Sequence, residues 1–86
     1  MESTKAITVI IPFLNEGSEV GETIKSIKSH ATIPFDIIMI NDASTDNYDY
    51  EKIAQTSNCV YRAHKTRGGV ASSRDEGVLL AQTEYV

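Results

Sequence analysis

The feature that most constrains the fold is a repeated alternation of a short β-branched run, a polar loop and a helical hydrophobic period. The first run, residues 5–11 (KAITVII), is too short for a membrane helix and predicts a buried strand. Apolar residues then recur at the spacing of one helix face, at positions Val20, Ile24, Ile27 and Ala31. The chain is therefore predicted to begin as a strand followed by a helix.

Two further units of the same kind follow. Residues 35–40 (FDIIMI) predict a second strand before a weaker helix at 48–56, and residues 58–63 predict a third strand before a helix at 70–82. Residues 84–86 predict the start of a fourth strand. One face of the last helix is expected to carry Val70, Arg74, Gly77, Val78 and Ala81. Strands joined by helices through short connections are parallel, so we predict an α/β fold with helices on both faces of the sheet.

Length, charge and cysteine content narrow the class of protein. Eighty-six residues, 41% of them hydrophobic, allow one folded domain at most. A formal charge of −4 without a Lys- or Arg-rich segment argues against nucleic acid or an anionic membrane as the main partner. The single Cys59 permits no internal disulfide and, with the isolated His30 and His64, no zinc cluster, so we expect a reducing, cytoplasmic compartment.

Apolar runs in the chain are short. None approaches the roughly 18 residues that span a bilayer, and Pro12 interrupts the run at 6–14. We therefore expect neither a membrane span nor a signal peptide in these residues, and attachment of a longer parent protein to a membrane stays open.

Ligands of parallel sheets bind beyond the carboxyl ends of the strands, so the candidate loops are 12–17, 41–47 and 64–69. In the first loop (PFLNEG), Pro12 is expected to end the strand, and backbone N–H groups could contact an anion or the edge of a base. Alternatively this loop is a turn in which Asn15 or Ser18 caps the helix. The sequence leaves both interpretations open.

The second loop (NDASTDN) gathers two carboxylates with hydroxyl and amide groups at one strand end. An Asp there can accept a hydrogen bond from a pyrimidine N3–H or from ribose hydroxyls. Alternatively the cluster forms an Asx turn and a helix N-cap, and the cap suits Ser44, Thr45 or Asp46 better than Asp42.

The third loop and the helix after it place positive charge near a helix start. Lys65, Arg67 and Arg74, with two glycines, suit a diphosphate, although the segment matches neither a Walker A loop nor G-x-G-x-x-G. A solvated loop is the alternative for Lys65 and Arg67. His64 and Cys59 have no partner at a recognisable spacing, which indicates structural roles.

Taken in order, the three segments resemble family 2 glycosyltransferases of the GT-A fold. VIIPFLNEG is similar to that family's "VIIPxYNE", IIMINDASTD to "IVVDDGSTD", and RGGVASSRDEGVLLAQTEYV to "NxGxxxARNxGxxxAxGEYI". Three motifs in the right order cover nearly the whole chain and are more specific than any one alone. The resemblance implies a Rossmann-like three-layer α/β/α sandwich with a mainly parallel sheet.

The resemblance also implies the site residues. Those expected to line the nucleoside are Pro12, Phe13, Asn15 and Glu16. Asp42 matches the second Asp of "DDGS" and is expected to contact the base.

Four more positions match the family's motifs. Ser44 and Asp46 are expected to form the loop and its caps. Arg74 matches the Arg of "ARN" and is expected near the nucleotide or diphosphate, and Gly77 matches the Gly that lets this helix pack on the sheet.

Several positions depart from the pattern. Leu14 replaces a Tyr, Asn41 the first Asp, Ala43 the Gly, and Asp75 the Asn of "ARN". Asn41 puts in doubt any metal or base contact that needs a carboxylate there. A left-handed conformation that Gly accepts would cost Ala43 roughly 1 kcal/mol or more.

The activity implied by the resemblance is transfer of a sugar from a nucleotide-diphospho-sugar to the hydroxyl of a sugar or lipid-linked acceptor in polysaccharide or glycoconjugate synthesis, with UDP or another nucleoside diphosphate as the leaving group. In the family, an Asp-x-Asp after the EYI-like strand holds Mg²⁺ or Mn²⁺ on the diphosphate. Residues 1–86 stop before it. They are therefore expected to be the N-terminal nucleotide-binding part of the GT-A domain, without metal ligands or catalytic base, and inactive alone.

Two alternatives come from other classes of protein. A phosphoacceptor receiver domain is also a small α/β fold, but it needs an acidic pair after the first strand, where this chain has Pro12. A fragment that binds no nucleotide would instead expose the edge of its sheet and could form a homodimer through it.

Overall fold

The structure, a computed structural model, describes residues 7–31 and 34–81. Three strands alternate with three helices: β1 (Ile7–Phe13), α1 (Glu19–His30), β2 (Phe35–Asn41), α2 (Tyr50–Ser57), β3 (Val60–Ala63) and α3 (Val70–Leu80). The strands form one parallel sheet in the order β1-β2-β3. The predicted α/β fold is confirmed, and the fourth strand predicted at 84–86 lies outside the described residues.

The first strand continues through Pro12, contrary to the prediction that this proline ends it. The carbonyl of Phe13 accepts the N–H of Asp42, at 2.9 Å, so the polar groups of Phe13 point towards β2. Those of Pro12 then point to the opposite edge, because successive residues of a strand alternate. A proline is tolerated where the N–H it lacks faces away from the neighbouring strand.

The second helix begins two residues later than predicted, because a different residue caps it. Asp49 Oδ1 accepts the N–H of Lys52 at 3.1 Å, which makes Asp49 the N-cap, and the prediction of Ser44, Thr45 or Asp46 was wrong. Asp46 forms the Asx turn instead, accepting the N–H of Tyr48 at 3.3 Å.

Helices cover both faces of the sheet. On one face, Val20 and Ile24 of α1 and Ala54 of α2 pack with Ile37 and Met39 of β2. On the other face lies α3, where Gly77 approaches Ile10 of β1 closely.

The buried face of α3 differs from the predicted one. Ser73 and Gly77 are buried, whereas Arg74 is exposed and Val78 is 53% exposed. The predicted grouping was therefore wrong for Arg74 and Val78, because two small residues bring the backbone of α3 close to the sheet.

Helix α3 follows β3 but packs against β1, at the other edge of the described sheet. A right-handed crossover that returns from β3 over β1 must lie on the face opposite α1 and α2. Open α/β sheets bind ligands beyond the carboxyl ends of the strands, so the loops after β1, β2 and β3 are the candidate site. Within the described part of the chain, no helix is both long and apolar enough to span a membrane.

Candidate functional site

Asp42 follows β2 directly and is 6% exposed. Its Oδ1 accepts the N–H of Gly68 at 2.7 Å and faces His64 Nδ1 at 2.8 Å, and its Oδ2 accepts the N–H of Gly69 at 2.9 Å. The hydrogen bond from Gly68, and after it that from His64, lower the pKa of Asp42 to about 2. A buried, ionised carboxylate therefore stands where β2 ends and α3 begins.

His64 directly follows β3 and connects the carboxyl ends of β2 and β3 to α3. Its N–H donates to the Asn41 carbonyl at 2.8 Å, and its ring bridges Asp42 and Glu76. Both ring nitrogens face a carboxylate oxygen, so both bonds form only when the imidazole is doubly protonated. The hydrogen bonds to Asp42 and Glu76 accordingly raise the pKa of His64.

The loops after β1 and β2 are tied together by side chains. Asn15 donates its N–H to Ser44 Oγ at 2.9 Å, and Asn15 Oδ1 accepts the N–H of Thr45 at 2.7 Å. Ser44 in turn donates its N–H to Asn41 Oδ1 at 2.9 Å. Asn15 and Ser44 therefore shape the loops, and for Ser44 this is the role that the resemblance implies.

Tyr50, which was not among the predicted site residues, forms hydrogen bonds with both of these loops. Its hydroxyl accepts the N–H of Gly17 at 2.7 Å and donates to Asp46 Oδ2 at 2.5 Å. Its ring lies 4.6 Å from that of Phe13, centroid to centroid. Burial, and then the bond to Asp46, raise the pKa of Tyr50, so its hydroxyl keeps its proton.

A cavity of about 280 Å³ opens at the carboxyl ends of β1 and β2. It is lined by Pro12, Phe13, Leu14, Glu16, Asp42, Arg67, Gly69 and Ser73. Four residues that the sequence analysis assigned to the nucleoside therefore meet here: Pro12, Phe13, Glu16 and Asp42.

Three other predicted site residues lie outside this lining. Asn15 and Ser44 belong to the loop network beside the cavity. Arg74 borders a separate cavity against β1, with Ile7 and Val78. Ser73 lines the first cavity and was missed, because a serine inside a helix carries no sequence signal of its own.

The cavity combines hydrogen-bond acceptors with positive charge. Asp42 and Glu16 contribute carboxylates, while the exposed Arg67 and the N-terminus of α3 contribute positive potential. Gly69, at the N-cap of α3, has φ 89°, a conformation that suits glycine. A ligand with an N–H donor at one end and negative charge at the other would match this arrangement.

The acceptor capacity of Asp42 is nearly filled. A carboxylate offers about four acceptor positions, two on each oxygen. Gly68 and His64 occupy both positions of Oδ1, and Gly69 occupies one of Oδ2. One position on Oδ2 is left for a ligand among the contacts of the described residues.

A divalent cation does not fit the residues that the structure describes. Across residues 7–31 and 34–81, no three His, Cys, Asp or Glu side chains group in a way that could hold a metal ion. Asp42 moreover has a single acceptor position left beside its three donors, so it could supply one ligand to a cation at most.

The sequence of the chain is similar to those of known glycosyltransferases. The model of the family described as "Glycosyl transferase family 2" matches residues 8–86. The chain is 33% identical over 88 residues to the uncharacterized glycosyltransferase YibD of Escherichia coli K12, covering 100% of this chain and 26% of that protein. It is 28% identical over 86 residues to the glycosyltransferase GlyG of Streptococcus pneumoniae, covering 96% of this chain and 29% of that protein. It thus spans less than a third of the length of either relative. With nearly its whole length matched by the family model, the chain belongs to glycosyl transferase family 2.

Proposed function

We propose that this chain is the nucleotide-binding part of a glycosyltransferase that transfers a sugar from a UDP-sugar to an acceptor hydroxyl. The observation that carries the proposal is the buried, ionised Asp42 in a cavity at the carboxyl ends of the strands. Family membership supports the class of reaction, and the cavity supports the class of donor.

Asp42 supports the assignment to a base with an imide N–H. Its remaining acceptor position can only receive a hydrogen bond, because an ionised carboxylate has no donor. The N3–H of uracil is such a donor, and a bond to a charged acceptor contributes about 1.5–3 kcal/mol. The carboxylate is already fixed by Gly68, Gly69 and His64, so little ordering remains to be done on binding.

The diphosphate would then extend towards Arg67 and the N-terminus of α3. Arg74 is a further candidate for the diphosphate by its place in the motif, although its side chain borders the other cavity. In the reaction, the acceptor oxygen bonds to the anomeric carbon, the bond from that carbon to the diphosphate oxygen breaks, and UDP leaves. A base takes the proton of the acceptor hydroxyl.

The remaining parts of the reaction are proposed to come from a longer parent protein. These are the acceptor site, the base, and the ligands of a Mg²⁺ or Mn²⁺ ion that would neutralise the leaving diphosphate. The 86-residue chain is therefore expected to bind nucleotide without turnover.

An amide NMR titration of the chain with UDP tests the proposal. We expect saturable shifts confined to residues 12–17, 41–47 and 67–74. Asp42→Asn should weaken binding by about tenfold or more, since the charged acceptor is lost. Asp49→Asn is the matched control, because Asp49 also accepts a backbone N–H at a helix start but caps α2 and is not among the residues lining the cavity. Absence of shifts up to about 10 mM UDP, a limit of under ~3 kcal/mol of binding free energy, would contradict the proposal.

A further inference from the structure

Ser73 has a buried hydroxyl without a hydrogen-bond partner. Its side chain lies in α3 at 0% exposure, and its Oγ has no hydrogen-bond partner in the described part of the chain. The backbone of Ser73 is satisfied, since its N–H donates to the Gly69 carbonyl at 3.1 Å. Buried polar groups in folded proteins are rarely left unpaired, so this hydroxyl calls for an explanation.

Two facts connect this hydroxyl with a ligand. Ser73 lines the same cavity as Asp42 and Arg67. It also occupies the position of the Ala in the "ARN" motif that the segment resembles, where a methyl group would fill the space without a polar atom. The chain therefore carries an extra polar atom at a buried place where a ligand could satisfy it.

We propose that the Ser73 hydroxyl donates a hydrogen bond to a carbonyl oxygen of the nucleotide base whose N–H is accepted by Asp42. This inference rests on the proposed function and adds a specificity-determining residue to it. In uracil, the N3–H lies between two carbonyl groups, so a donor beside the carboxylate complements the base. Asp42 would accept a hydrogen bond from the N–H of the base, and Ser73 would donate one to the neighbouring carbonyl oxygen.

The charge of the cavity favours the base over a phosphate as the partner of Ser73. The buried carboxylate of Asp42 lines the same cavity and would repel a phosphate placed deep inside it. Arg67, by contrast, is exposed and lies where a phosphate would keep contact with water. A neutral carbonyl suits the buried Ser73, and the phosphates suit the mouth of the cavity.

The test compares Ser73→Ala with Ser72→Ala, its exposed neighbour in the same helix. Without ligand, Ser73→Ala should raise the Tm by about 4 °C or more, because it removes an unpaired buried hydroxyl. Isothermal titration should show UDP binding about tenfold more weakly to Ser73→Ala, equivalent to about 1.4 kcal/mol. Ribose 5-diphosphate, which has no base, should bind to Ser73→Ala as it binds to the unchanged chain. Ser72→Ala should alter none of the three quantities.

The outcomes separate this inference from the proposed function. If the unchanged chain binds UDP and Ser73→Ala binds it equally well, the inference is overturned and the proposed function stands. If Ser73→Ala weakens UDP and ribose 5-diphosphate equally, the hydroxyl serves the phosphates and the assignment to the base is wrong. If the unchanged chain does not bind UDP, both are overturned.

Discussion

Replacing Gly77 by alanine tests how closely α3 packs on the sheet. A Cβ at position 77 would lie 2.6 Å from both Cδ1 and Cγ2 of Ile10, whereas carbon atoms in contact are about 3.5–4.0 Å apart. Ile10 Cγ2 is fixed close to the backbone of β1, so the overlap of about 1 Å cannot be relieved by turning the end of a flexible side chain. Overpacking of this kind costs up to about 3 kcal/mol, against a gain of about 1 kcal/mol in helix propensity. We expect Gly77→Ala to lower the free energy of unfolding by about 2 kcal/mol.

Gly21 provides the matched control, because it is the same substitution in α1. A Cβ there would lie 3.9 Å from Ile53 Cδ1, an ordinary contact. Only the helix propensity changes, so Gly21→Ala should raise the free energy of unfolding by up to about 1 kcal/mol. Urea denaturation followed by circular dichroism measures both variants, and the two should differ by about 3 kcal/mol with opposite signs.

Shortening Ile10 tests the cause of the effect. Ile10→Ala removes the three side-chain atoms that a Cβ at position 77 would meet, Cγ1, Cγ2 and Cδ1. The double variant with Gly77→Ala should therefore be more stable than the sum of the two single effects by about 2 kcal/mol. A Gly77→Ala variant as stable as the unchanged chain, or an additive double variant, would refute the argument.

The remaining predictions concern the loops of the site and the edges of the sheet. Ala43 has φ 67°, the left-handed conformation, so Ala43→Gly should stabilise the chain by about 0.5–1 kcal/mol in the same denaturation assay, and a loss would contradict this. The pKa of Asp42 is lowered to about 2, so its contribution to stability is present above about pH 4 and is lost as the pH falls towards 2. The pKa of His64 is raised, so its contribution is complete below about pH 6.5 and is lost as the pH rises through its folded-state pKa. Glu76→Gln should lower the pH at which the contribution of His64 is lost, measured as Tm against pH. An unchanged profile would exclude the contact between Glu76 and His64. Because β1 and β3 are the edges of the described sheet, we expect self-association, which sedimentation velocity over a range of concentrations would detect or refute.

The loops illustrate what could be predicted from residue types and what could not. The left-handed conformation considered for Ala43 is confirmed, because it follows from the place of a single residue in a motif. The cap of α2 was assigned to the wrong side chains, because several residues of loop 41–47 can cap a helix and only the path of the loop selects Asp49. Pro12 was expected to end β1, but its backbone polar groups point away from β2, so the strand continues through it.

The sequence by itself determined the order and type of the six elements, the parallel sheet and the family, since periodicity and motif spacing are properties of neighbouring residues. The tertiary structure alone decided that His64 bridges Asp42 and Glu76, and that Ser73 is buried beside the cavity without a partner. Asp42 and His64 are 22 residues apart in the chain. Their contact depends on the register of parallel strands and on the face of the sheet that α3 covers, and both are set by packing across the whole domain.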